Sequence, residues 1–132
     1  HTSCAEFQIG KPKLSISKIL EGTCFPGDSC DFVISISNQG AAYNGNILLG
    51  EFMGGTGGVI TSVTPALPAD CTLPTNELQC VLPVTVPENG VYTLSVVGTY
   101  DAIMAGDGHN RNCVMAYTVP SIVPVGSFEL VD

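Results

Sequence analysis

The stretch CFPGDSCDFVISISNQG, residues 24 to 40, decides how the rest of the chain is read. Cys24 and Cys30 bracket a Pro-Gly-Asp-Ser turn. Proline presets the backbone for the second position of a tight turn, and glycine accepts the positive φ of the third. Directly afterwards Phe32, Ile34 and Ile36 point one way while Asp31, Ser35 and Ser37 point the other, the period-two pattern of a half-buried strand. A cysteine-closed turn that leads into such a strand describes a disulfide-stapled β protein.

The same period recurs along the chain. Around Leu14-Ser15-Ile16-Ser17 one face is apolar and the other hydroxylated. From residue 91 to 100, Tyr92, Leu94 and Val96 face a core while Thr93, Ser95 and Thr99 face water. Further strands are expected at 46–52, 59–64, 78–86, 113–119 and 127–131. Gly, Pro, Asn and Asp interrupt every few residues, and helix signals are nearly missing. Seven or eight short strands in 132 residues predict an all-β fold, an immunoglobulin-like antiparallel β-sandwich. The sandwich is expected over 13–119, with an N-terminal extension at 1–12. Residues 120–132 are read as a C-terminal extension or an extra edge strand. Pro120 and Pro124 lack ladder donors, so this last segment suits a sheet edge or an arm reaching a neighbouring subunit.

Charge narrows the partners. Four basic residues face twelve acids, a formal net charge of -8. Such a surface repels phosphate backbones, which excludes nucleic acid, and it disfavours anionic lipid. No apolar run approaches the roughly 20 residues of a membrane helix. No signal peptide is recognisable, and the sequence reads as a mature chain. Six cysteines without a CxxC pair predict disulfides and an oxidising compartment. Cys24–Cys30 closes one turn, Cys71–Cys80 brackets the polar turn TLPTNELQ, and elimination pairs Cys4 with Cys113.

Several ordered motifs resemble the bacterial conserved-repeat domain family, whose immunoglobulin-like modules occur in exported and cell-surface proteins. They are LSISK at 14–18, GTCFPGDSCDFVISISNQG at 22–40, YNGNILLGE at 43–51, ITSVTPALPADC at 60–71, LQCVLPV at 78–84, VVGTY at 96–100 and NRNC at 110–113. The family places a Lys after its first strand, a C-x-x-G-x-x-C turn before a strand ending in Asn and Gly, and a later cysteine pair. The acidic position after the third strand falls here within Gly50-Glu51-Phe52, without the customary aspartate and proline. Relatives are often tandem repeats, whereas this chain holds one copy. The resemblance implies a fold and an exported, bacterial location, and it supplies no catalytic motif.

Candidate chemistry is sparse. His1 and His109 could form a copper-binding histidine brace, weighed against a terminus left by cleavage and a solvated loop histidine. Asp101, Asp107 and Asn110 in the loop DAIMAGDGHNRN could offer oxygen ligands to calcium, against the plainer reading of a solvated turn. The GGTGG at 54–58 reads as a strand connection rather than a phosphate cradle. There is no G-x-S-x-G, the cysteines are assigned to bridges, and most acids fall in turns, so no enzyme and no cofactor are expected. The expected function is a non-catalytic extracellular structural or interaction module, or an accessory subunit of a cell-surface assembly. It would meet protein partners, or itself, through edge strands or terminal extensions. The alternative is a small exported copper protein built on His1 and His109.

Overall fold

A computed structural model describes residues 4, 10–54, 57–68, 71, 76–101 and 111–131. Eight strands follow in order: β1 (Leu14–Glu21), β2 (Ser29–Asn38), β3 (Tyr43–Gly54), β4 (Val59–Thr64), β5 (Glu77–Val86), β6 (Val91–Thr99), β7 (Arg111–Val119) and β8 (Val123–Val131). They form two four-stranded sheets, ordered β1-β2-β6-β4 and β5-β3-β7-β8. Every pairing is antiparallel. The fold is therefore all-β, with two antiparallel sheets enclosing one core.

Period-two patterning builds that core directly. In β5 the inward residues Leu78, Cys80, Leu82, Val84 and Val86 are buried while each intervening residue is exposed. In β2 the buried set is Cys30, Phe32, Ile34 and Ile36, paired across to β6 so that Ile34 lies opposite Leu94 and Phe32 opposite Val96. The sheets meet through these apolar faces, whose removal from water is the main favourable term in folding.

Turn chemistry sets the connections. The Asp28 amide donates to the Phe25 carbonyl at 3.0 Å and Gly27 has φ 85°, which makes Phe25–Asp28 a type II turn with proline and glycine in their favoured places. The Gly27 amide also donates to the Tyr100 carbonyl at 2.7 Å. The Cys24–Cys30 disulfide closes this turn, and Cys71–Cys80 fastens the segment after β4 to β5. Buried Asn38 stitches the far end of β2. Its Oδ1 accepts from the amides of Lys13 (3.0 Å) and Gly40 (2.9 Å), and its Nδ2 donates to the carbonyls of Ala41 (2.7 Å) and Val86 (3.1 Å).

One expectation is corrected. No bond joins Cys4 to Cys113. Cys113 lies between the inward residues Asn112 and Val114 in sequence, so its side chain leaves the core, beside Phe52 and Glu129 on neighbouring strands. Elimination fails because it assumes that every cysteine is bridged. Of the two readings of the C-terminal segment, the extra edge strand is the one that residues 123–131 adopt. They form β8, the edge strand bonded to β7, with Val125 buried in the core and a register shift near Ala116/Tyr117 that accommodates Pro124 and Gly126. β8 packs against β1 and closes one side of the sandwich.

Candidate functional site

Among the described residues, the core holds four buried polar or charged side chains: Lys18, Asn38, Glu51 and Asn112. Asn38 has partners for both of its side-chain atoms. The other three form a separate cluster between the sheets. β1 alternates so that Leu14, Ile16, Lys18 and Leu20 share the inward face. Lys18 thus projects from the edge of the first sheet toward the second. In β3 the inward positions are Ile47, Leu49, Glu51 and Met53, and in β7 they are Asn112, Val114 and Ala116. Register places Glu51 opposite Val114 and Asn112 opposite Met53, so Glu51 and Asn112 are diagonal neighbours on one face.

The Lys18 ammonium donates to Glu51 Oε1 in an ion pair, and neither side chain has any exposed surface. Lys18 Nζ also lies 5.2 Å from the centroid of the Phe32 ring, an attractive position for a cation. The Asn112 carboxamide is near enough to stabilise the Glu51 carboxylate. Even so, Glu51 Oε2, Asn112 Nδ2 and Asn112 Oδ1 are all buried without a partner in hydrogen-bond geometry. A protein core seldom leaves three polar atoms unsatisfied in one place.

Burial governs the protonation of the cluster. Desolvation raises the Glu51 carboxyl to about 7, opposed by the charge and hydrogen bond of Lys18 and by Asn112. Desolvation likewise lowers the Lys18 amine below its ordinary value, opposed by Glu51 and by the nearby Cys113. Both shifts favour the neutral forms, an amine with a free lone pair beside a carboxylic acid.

The sequence-derived candidates lie elsewhere. His1, His109, Asp107 and Asn110 fall outside the described residues, and so do the copper and calcium readings that depend on them. Asp101 is exposed just after β6, its carboxylate over Gly57. The Lys18, Glu51 and Asn112 cluster was overlooked, although LSISK, NILLGE and NRNC each contain one member. The available signal was phase. Each of the three occupies a position where strict alternation calls for an apolar residue, and a polar side chain in core phase on three separate strands needs an explanation.

No protein-family model matches the chain, and no curated protein matches it. Among solved structures, the chain is similar to one titled "AvmM Catalyzes Macrocyclization in Alchivemycin A Biosynthesis", with 19% identity, a TM-score of 0.46 and 88% of each chain covered. The expectation that this chain is no enzyme is corrected on that finding. The likeness itself, at that TM-score, assigns no reaction to this chain.

Proposed function

We propose that this chain is an immunoglobulin-like structural module of an exported bacterial assembly, and that it pairs through β5 with β5 of a second copy. The observation that carries this reading is the state of the four sheet edges. β1 and β8 pack against each other, and β4 is short and irregular, with a register shift between Ile60 and Ser62. β5 is ten residues long, runs in unbroken register along β3, contains no lysine or arginine, and bonds to no described strand on its other side. Long, regular edges without lysine accept another strand. The two disulfides and the acidic surface support an oxidising, extracytoplasmic setting, and no helix among the described residues is long and apolar enough to cross a membrane.

Antiparallel pairing of β5 with its copy would make one continuous eight-stranded sheet about a two-fold axis. Pro83 sits within β5, and a proline in an edge strand turns its missing donor away from the ladder. Val81 shares that phase, being two residues away. Val81→Pro therefore removes an outward donor and leaves the bonds to β3 intact. Sedimentation analysis over a wide concentration range should show a dimer for the native sequence and a monomer for Val81→Pro. A native chain that stays monomeric throughout refutes the pairing, as does a dimer that Val81→Pro leaves unchanged.

A further inference from the structure

We propose that Lys18 Nζ and Asn112 Cγ become joined by an amide bond, formed by the chain itself with Glu51 carrying the protons. The proposal is independent of edge pairing. It rests on the three side chains that β1, β3 and β7 bring together in the core, and on the polar atoms left without partners there.

Each member has the chemistry its role requires. An amine becomes a nucleophile when it is desolvated and neutral, and Lys18 is fully buried against Phe32 and Glu51. A carboxamide carbon is a poor electrophile unless its oxygen is protonated or held by a donor. Glu51, as a neutral acid, supplies that donor from a site where burial already favours the protonated form. The surrounding core residues Leu49, Met53, Val114 and Phe32 are all buried, which keeps out the water that would compete for the carbonyl.

The atoms balance without any outside reagent. Lys18 first passes a proton to Glu51, leaving a neutral amine and a neutral acid. The Nζ lone pair attacks Cγ of Asn112 while Glu51 protonates Oδ1. Glu51, now a carboxylate, takes a proton from Nζ and hands it to Nδ2. The Cγ–Nδ2 bond breaks as the carbonyl re-forms, its Oδ1 proton returning to Glu51, and ammonia departs. One C–N bond has formed and one has broken, and nothing is oxidised or reduced.

The product also resolves the anomaly in the core. An ammonium, a carboxylate and an unpartnered carboxamide become one secondary amide and one neutral carboxyl. The carboxyl O–H can donate to the new C=O, and its other oxygen can accept the new N–H. A buried ion pair with three unsatisfied polar atoms becomes an uncharged pair whose donors and acceptors match. A conventional buried salt bridge would give no reason for an open carboxamide beside it.

Intact mass of the full chain, reduced and denatured, tests the proposal. The native sequence should be lighter than its composition by one ammonia, and Asn112→Ala and Glu51→Gln should each show their full calculated mass. Succinimide formation at Asn44-Gly45 or Asn89-Gly90 also loses ammonia, so digestion locates the change. Trypsin should spare Lys18, and the fragment beginning at Asn112 should remain attached to the one carrying Lys18. Full mass with cleavage after Lys18 overturns the proposal. So does an ammonia loss that maps to Asn44 or Asn89, or a water loss that joins Lys18 to Glu51. Bond formation undiminished in Glu51→Gln would remove Glu51 from the role assigned to it. Because the native chain alone decides whether the bond exists, a variant that fails to fold does not spoil the test.

Discussion

Replacing Lys18 with methionine isolates the cost of the Glu51 carboxylate. Lys18→Met keeps a long apolar stem over Phe32 but removes the charge that faces Glu51, and it also removes any amide to Asn112. Glu51 titrates near 7 with Lys18 present, and Lys18 is one of the influences that lower it. In the variant the folded value therefore lies above 7, while the unfolded carboxyl keeps the ordinary value of 4.5. The folded state binds this proton more tightly than the unfolded state. The stability it contributes is fully present below the unfolded value and is lost as pH rises through the folded one. Two pH units between 5 and 7, at about 1.4 kcal/mol per unit, give a loss of about 3 kcal/mol. Urea unfolding of Lys18→Met at pH 5, 6, 7 and 8 should show this decline, continuing past pH 7. Adding Glu51→Gln should abolish that slope, since no carboxyl remains to titrate. If Lys18→Met has the same stability at pH 5 and pH 8, or if the double variant keeps the slope, Glu51 is not the buried titrating group described here.

Three further outcomes follow from the packing. Asn38→Ala leaves the amides of Lys13 and Gly40 and the carbonyls of Ala41 and Val86 without their side-chain partner, and should lower unfolding free energy by about 2–3 kcal/mol in urea titration. Gly98→Ala drives a Cβ into Met53 Sδ and to 2.7 Å from the Val59 carbonyl oxygen. Since the backbone oxygen cannot move aside cheaply, calorimetry should register a loss of about 1–3 kcal/mol that truncating Met53 does not fully restore. Replacing Cys24 and Cys30 together by serine opens the small ring around the type II turn, and should cost about 2 kcal/mol in urea with the sheets otherwise retained.

The strands were legible because half-buried antiparallel sheets write their inward face into every second letter. All eight expected segments coincide with strands. Their limits were less visible. β8 begins at Val123, before Pro124 and Gly126, residues that read as turn formers until the register shift beside Tyr117 gives them a place at the edge. The cluster of Lys18, Glu51 and Asn112 was hidden for a different reason. Each residue is polar within an otherwise regular strand, and alternation alone cannot say that three such exceptions on β1, β3 and β7 converge. Only the sheet order and register bring them together. The Cys4–Cys113 assignment failed on counting, since an even number of cysteines does not fix which of them bond.

Sheet order also governs how quickly this chain can fold. Of the six strand pairings among the described residues, only β1–β2 and β7–β8 join neighbours in sequence. The central strands β2, β3, β6 and β7 must all find partners across long intervening stretches, so loop-closure entropy opposes the early steps and contacts repay it late. Folding on the millisecond-to-second scale of sandwich proteins is the expected regime. The two local hairpins can form early but cannot bury their apolar faces until β6 docks on β2 and β3 docks on β7. Substitutions that weaken the β2–β6 contact, such as at Ile34 or Leu94, should therefore act on the rate of folding, whereas substitutions at the short strand β4 should act on the rate of unfolding.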